Sequence, residues 1–480
     1  MNDRKGFGSN FGFLMAAVGS AVGLGNIWGF PNKMGANGGF PFLILYLALA
    51  LCCGVIIMLG ELALGRKTGH GAVGAYQSIS KRFKWLGWLG IAAAALIFSF
   101  YSALGGYCLR YVVVNFGNLI GAEFGTNGVG GADVFQGLLS QPDVSIAFAL
   151  AFMLITMLVV MSGVGGGIER VCSVGMPALF FILIICIIRS CTLPGAVDGL
   201  KYMFVPGWAV ANGIIDEAPG FWRVLTAAGG QMFFSLSLGA GVMITYGSYL
   251  DKKQDLGKST MIIVGMDTVV ALMAGLCVIP GRFALDPNGA LGGPELLFIT
   301  MQNVFDKMGP AGPVFGILFY LLVFFAAISS SISMLEVIVA HFCDKAREKG
   351  KGDRRKLYSA IVVVICAALC ALVCADGMGS NHISPAELLG LAGAKLPGWS
   401  TSWLGLFDSV AEGLLMPLGA LLMCLMISWE LKPDVLRQEI LLNGENRPWV
   451  YDFFRLCVKY ITPLCMLMIL YGQISDFFIV

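Results

Sequence analysis

The sequence predicts an all-α polytopic membrane protein of about eleven transmembrane helices. Three observations predict it. Of 480 residues, 57% are apolar and only 12% charged, and the mean hydropathy is +0.81. A soluble chain of this length needs far more charge to cover its surface. Apolar runs of roughly 20 residues, enough to cross the hydrocarbon core, recur along the whole chain, and they must be helices because lipid offers the backbone no hydrogen-bond partners. Lys and Arg are also divided unevenly among the intervening loops.

The segments fall near 10–35, 40–65, 85–118, 144–162, 168–190, 224–250, 256–281, 312–345, 355–376, 403–430 and 450–474. The first, third and eighth exceed a perpendicular span and are expected to tilt or protrude. With the N-terminus inside, the inner loops hold most of the 31 Lys and Arg, including Arg66, Lys67, Lys81, Arg82, Lys84, Arg170 and the run DKAREKGKGDRRK. The positive-inside rule therefore predicts a cytoplasmic N-terminus in the inner membrane, and the odd number of spans an extracellular C-terminus. Arg455 and Lys459 stand at the start of the last segment. The opening MNDRKGFGSN is followed by an apolar run without a small-residue cleavage site, so it is not read as a removed signal peptide. Among the outer loops, 119–143 is glycine-rich without Lys or Arg, and 282–311 contains GGPELLFITMQNVFDKM, a short amphipathic helix that fits either a lid or a plain surface helix.

The remaining composition excludes several function classes. The net charge is +2 and there is no basic block, so nucleic acid is not an expected partner. The 14 cysteines sit almost all inside apolar runs without a CxxC pair and read as small packing residues. Cys366 and Cys370 share a helix face, which alone implies no metal. His70, His341 and His382 are scattered, and no nucleophile–base pair can be named, so an enzyme is not expected.

Two segments carry signs of breakage. In NFGFLMAAVGSAVGLGNIWGFP, Gly19, Gly23 and Gly25 cluster at mid-depth before Asn26 and Pro31. In AAGGQMFFSLSLGAGVMITYGSY, Ser235, Ser237, Gly239 and Gly241 do the same. Glycine weakens a helix and serine competes for its backbone groups. Close helix packing of the GxxxG kind, which Gly19 and Gly23 fit, is the competing explanation. Unwound backbone is tolerable only where it lines a cavity or is covered by protein, and there its carbonyls bind cations and its amides anions. The two candidates lie five segments apart, so segments one to five and six to ten are candidate inverted repeats, each opening with its broken helix.

Polar residues at depth mark a site. Asp267, in IIVGMDTVVALMAG, has no Lys or Arg in the neighbouring apolar sequence. Ionised, it costs roughly 2.5–3.5 kcal/mol, so it needs a cation, a proton or a basic partner. Sodium and a proton both remain open. Ser329, Ser330, Ser331 and Ser333 in FFAAISSSISMLE place hydroxyl oxygens at helical spacing, which suits a hard cation as well as back-bonding to helix carbonyls. Glu61 in MLGELALGR is positioned to accept hydrogen bonds from unwound backbone or to sit at the interface, and Tyr101 lies deep in segment three, where its hydroxyl needs a partner.

GSAVGLGNIWGFP (19–31), ELALGR (61–66), SFYSALGG (99–106), GIERVCSVGMP (167–177), LPGAVDGL (193–200), QMFFSLSLGAG (231–241) and ISSSISMLE (328–336) together resemble the neurotransmitter:sodium symporter (SNF) family, over residues 4–430. The resemblance implies the LeuT-type fold of five-plus-five inverted repeats, in the eleven-helix form similar to several bacterial members. The whole chain, 1–480, is then one transporter domain, with repeats at about 10–190 and 224–430 and an extra helix at 450–474. It further implies a first sodium site from Ala21, Asn26, Ser235 and Asp267, shared with the substrate carboxylate. A second would use Gly19, Val22, Ala326, Ser329 and Ser330. The substrate would meet Ala21, Gly23, Leu24, Gly25, Tyr101, Phe234 and Ser237, with its side chain against Ile97, Phe234, Ala240, Ser330 and Met334. An inner gate would pair Arg4 with Asp344, beside Phe7 and Tyr249.

Departures from the family pattern refine the expectation. Gly23 stands where amine-carrying members have Asp, so the substrate should bring its own carboxylate. Asp267 replaces a common Asn, so its fixed charge is expected to make transport chloride-independent. Gly29 and Ala411 stand where an outer Arg–Asp gate is usual. Lys33, one turn on, has Asp408 or Glu412 as a substitute partner. Small Gly29 and Ala240 suggest room for a bulky apolar or aromatic side chain. The expected function is sodium-coupled import of a small amino acid by alternating access. A proton-coupled carrier and a non-transporting amino-acid sensor are the alternatives.

Overall fold

The computed structural model describes residues 6–126, 128–291, 293–352, 354–390, 398–431, 435–441 and 448–478. Helices are the regular structure of the described residues, which contain no β-strand. Among the described residues nine helices are long and apolar enough to cross a membrane: Phe40–Thr68, Leu86–Ile120, Pro142–Met161, Val164–Cys191, Leu256–Leu285, Gly309–Glu348, Arg355–Gly379, Trp403–Glu430 and Pro448–Ser475. A tenth span is the pair Asn10–Ala21 and Gly25–Ala36, bent by 43°. An eleventh is the pair Phe221–Ser235 and Val242–Gly247, separated by the turns of 236–241. The eleven expected segments are all found.

Both breaks fall where glycine and serine cluster. The first helix stops at Val22, whose ψ of 99° is extended, and the chain is non-helical through Gly23. In the second break Ser237 (φ 53°), Gly239 (φ 77°) and Gly241 (φ 74°) adopt left-handed backbone. For Ser237 this costs roughly 1–2 kcal/mol, which the surrounding contacts must offset. Gly239 has no alternative: a Cβ there would lie 2.2 Å from the Met416 carbonyl oxygen.

Segments differ in what they face. Leu86–Ile120 is 78% buried over its apolar stretch and packs most extensively on Gly309–Glu348, whereas Val164–Cys191 is 28% buried. The former pair is the protein-facing scaffold, and the latter turns most of its apolar surface outward, as a lipid-facing helix does. The outer segment 282–311 folds into the continuous helical stretch Leu296–Thr300 and Met301–Asp306. It is pinned inward by Gln302, which accepts from Asn115 Nδ2 (2.9 Å) and donates to Asp306 Oδ1 (2.9 Å). The glycine-rich loop contains a helix not anticipated from sequence, Gly131–Leu139, whose apolar residues Phe135, Leu138 and Leu139 are buried.

Candidate functional site

The two breaks meet at the centre of the bundle. The Ser237 hydroxyl donates to the Ser20 carbonyl (3.1 Å), and so does the Ser330 hydroxyl (3.1 Å). Glu61, fully within the protein, accepts from the freed Gly239 amide at 2.7 Å, the unwound-backbone role available to it from sequence. Gln231 Nε2 donates to the Gly25 carbonyl (2.6 Å). Protein groups thus satisfy backbone that lipid could not.

Around Asp267 the structure gathers three of the four residues expected together by side chain. Asn26 Nδ2 donates to Asp267 Oδ1 (2.7 Å), and the Ser235 hydroxyl lies 3.0 Å from both carboxylate oxygens. The Tyr46 hydroxyl donates to Oδ2 (3.1 Å). All four side chains are buried, and these partners of the carboxylate are neutral. Ala21 is the last residue of the first half-helix, adjoining the break. Tyr46 was not singled out from sequence; its position deep in segment two, where a phenol needs a partner, is the signal that could have found it.

The second set also converges. The Ser329 hydroxyl approaches the carbonyls of Val22 (3.3 Å) and Ala326 (3.0 Å), and the Ser330 hydroxyl that of Gly19 (3.4 Å). Five oxygen-bearing groups from two helices therefore face one another. Ser20 joins them through its hydroxyl, which donates to Ser333 (2.8 Å). Among the described residues no group of three His, Cys, Asp or Glu side chains is placed to hold a metal ion.

Beside these sets lies the surface expected to hold a substrate. The Tyr101 hydroxyl accepts the Leu24 amide at 2.7 Å, and its ring sits 6.3 Å from that of Phe234. A Cβ on Gly23 would lie 2.2 Å from Ser330 Oγ and 2.5 Å from Tyr101 Oη; one on Gly25 would lie 3.0 Å from Phe234 Cδ1. Ile97, Ala240 and Met334 are buried apolar residues. The room expected at Gly29 is not empty: a Cβ there would lie 2.9 Å from Gln231 Oε1, so the Gln231 amide fills it.

The ends of the bundle carry ion pairs. At one end Lys33 pairs with Glu412, and Asp408 lies beside both. At the other, Asp344 accepts from the Gly71 amide (3.1 Å). Arg4 lies outside the described residues. Phe7 packs on Tyr249 with ring centroids 6.1 Å apart, and Tyr249 donates to Glu336, which also takes Arg355 Nη2 at 3.1 Å. The Glu336–Arg355 pair was missed from sequence, since nothing in the intervening loop marks the two as partners. A cleft of about 840 Å³ opens at this end, between Gly6, Gly163–Gly166, Asp344 and Arg355.

Two broken helices facing each other across a buried carboxylate, with oxygen clusters beside it and ion pairs at the ends of the bundle, define a secondary transporter. The chain belongs to the sodium:neurotransmitter symporter family, whose model matches residues 4–127 and 132–478. It is 36% identical to the uncharacterized sodium-dependent transporter YhdH of Bacillus subtilis, over 97% of both chains. It is 30% identical to an uncharacterized sodium-dependent transporter of Methanocaldococcus jannaschii, over 91% of this chain and 84% of that one. The crystal structure of MhsT in complex with L-phenylalanine superposes with a TM-score of 0.83 at 33% identity, covering 98% of this chain and 100% of that one. The fold is therefore the LeuT-type five-plus-five inverted repeat with an eleventh helix. The protein is a multi-pass membrane transporter, coupled to sodium and of amino-acid type, and not an enzyme.

Proposed function

We propose that this transporter imports a small amino acid with an apolar or aromatic side chain, together with two sodium ions and without chloride. The observation that carries the reading is Asp267: a buried carboxylate held by Asn26, Ser235 and Tyr46, all neutral, at the edge of the first break. An unneutralised carboxylate at this depth costs roughly 2.5–3.5 kcal/mol, which a bound cation offsets. The first ion would take Asp267, Ser235, Asn26, the Ala21 carbonyl and the substrate carboxylate. The second would take the carbonyls of Gly19, Val22 and Ala326 and the hydroxyls of Ser329 and Ser330, which rotate to present lone pairs.

The substrate carboxylate would accept from the Leu24 and Gly25 amides and from the Tyr101 hydroxyl, now turned to donate. Its ammonium would meet the carbonyls of Ala21 and Phe234 and the Ser237 region. Its side chain would pack on Ile97, Phe234, Ala240, Ser330 and Met334. Gly23 offers no carboxylate to anchor a substrate amine, so the substrate brings its own. The phenylalanine bound to MhsT supports the substrate class. Because ion and substrate share the first site, each raises the affinity of the other, which is the coupling.

The Lys33–Glu412 pair would serve as the outer gate, with Asp344, Tyr249 and Arg4 at the inner one. Residues 1–480 would form one domain, N-terminus cytoplasmic and C-terminus outside. The test is uptake of labelled amino acids into proteoliposomes, with and without an inward sodium gradient and with gluconate replacing chloride. Sodium-driven, chloride-indifferent accumulation of phenylalanine-like substrates is expected. Accumulation driven by a proton gradient alone, or binding without flux, overturns the proposal.

A further inference from the structure

The last two segments part at one end of the bundle. The cleft between them holds about 100 Å³, room for several water-sized groups. Both of its walls are π-helical, over Met426–Glu430 and Cys457–Ile461. Such widened turns recur at functional sites, and here the Ser428 hydroxyl crosses between them to the Val458 carbonyl (3.0 Å). The floor is apolar, from Ile427, Leu436 and Phe454, while Arg455 and Lys459 line the mouth. Among the described residues neither cation is in an ion pair.

The surroundings say what environment the mouth meets. The Lys459 ammonium lies 5.2 Å from the Trp429 ring and 5.1 Å from the Tyr460 ring. Trp429 and Tyr460 are 67% and 55% exposed, with Phe453, Leu456 and Ile461 also exposed. Exposed Trp and Tyr beside a cation whose stem lies on apolar surface mark the headgroup level of a bilayer. The mouth therefore opens sideways into lipid, at the depth where phosphates lie.

We propose that this cleft is a binding site for an anionic phospholipid. Arg455 and Lys459 hold the headgroup phosphate, and the acyl chains lie over Phe453, Leu456 and Ile461. Two positive charges at a lipid-facing cleft complement a net-negative headgroup and do not complement a zwitterionic one. Basic pockets between transmembrane helices bind lipids of this charge. The site is separate from the broken helices.

The full chain in detergent is titrated with phosphatidylglycerol or with phosphatidylcholine of the same acyl chains, and bound lipid is counted by native mass spectrometry. Phosphatidylglycerol is expected to bind more tightly. Each cation near an anionic surface is worth about a factor of five, so Arg455→Gln with Lys459→Gln weakens phosphatidylglycerol on the order of 30-fold. Arg82→Gln, exposed two residues from Ser80, whose hydroxyl donates to Glu430 at the same end of the bundle, leaves it unchanged. In the unsubstituted protein the preference must also fall with rising ionic strength, a readout that requires no variant to fold. Equal binding of the two lipids, a salt-independent preference, or an unchanged affinity in the double variant overturns the proposal. So does equal protection from thermal unfolding by inorganic phosphate, which would make the cleft a site for free anions.

Discussion

Replacing Asp267 with Asn tests the proposed first ion site in both directions. The native carboxylate accepts from Asn26 (2.7 Å), Ser235 (3.0 Å) and Tyr46 (3.1 Å). An amide keeps one acceptor oxygen, and the Ser235 and Tyr46 hydroxyls can reverse to accept from its NH₂. The substitution thus removes charge more than it removes hydrogen bonds. Without sodium, losing an uncompensated anion at depth should stabilise the protein by up to roughly 2.5–3.5 kcal/mol. With sodium at 100 times Kd, each site that binds only the folded state adds about 2.7 kcal/mol. The variant should keep the second site's share and lose the first, so its sodium-induced stabilisation falls to about half. The assay is thermal unfolding of the purified protein in sodium gluconate against choline gluconate. A variant with the full sodium response, or one less stable than the parent in choline, would refute the assignment of Asp267 to a cation.

Other perturbations follow from the same contacts. Gly239→Ala places a Cβ 2.2 Å from the Met416 carbonyl at a positive φ, and should cost about 3 kcal/mol in unfolding free energy, read as a lowered midpoint. The atoms nearest a Cβ in Gly23→Ala are the Ser330 and Tyr101 hydroxyls, which can turn aside, and the Ser330 Cβ, so the fold should survive. Displacing the Tyr101 hydroxyl should still weaken amino-acid binding about tenfold or more, measurable by calorimetry. Lys33→Gln leaves Glu412 beside Asp408 without its cation and should slow sodium-driven uptake, while adding Glu412→Gln restores part of it. A coupling of about 1 kcal/mol is expected for this half-buried pair in a double-mutant cycle, and zero coupling would remove Lys33 from the gate. Burial pushes the Asp306 carboxyl up, against the Gln302 hydrogen bond that lowers it. An acid raised in the fold stabilises it when protonated and loses that contribution as pH rises through the folded value. Asp306→Asn should therefore flatten the corresponding limb of the stability–pH profile.

How much was legible depended on whether the signal was local. Eleven segments could be read from hydropathy because each must satisfy its own backbone in lipid, which is a property of twenty consecutive residues. The two breaks were legible because glycine and serine weaken a helix wherever they cluster. Asp267 stood out because a charge at depth is costly whatever surrounds it. The resemblance supplied the residues expected around it, and the structure brings Asn26, Ser235 and the Ser329–Ser330 pair to the expected neighbours.

Partner choice was not local. Lys33 had two carboxylates in reach by sequence, and only the packing of segment ten selected Glu412. Tyr46, Ser20, Gln231 and the Glu336–Arg355 pair bond around the breaks or the cleft end of the bundle from positions with no periodic relation to their partners. Gly29, read as space, is filled by Gln231 from another segment. The sequence by itself determined that this chain spans the membrane, where its helices break and that Asp267 is an ionisable group at depth, since these follow from the cost of exposing backbone or charge to lipid. Only the tertiary structure decided which oxygens face one another, which charges pair and where a lipid-facing cleft opens, because those are set by distances of a few ångströms between segments far apart in the chain.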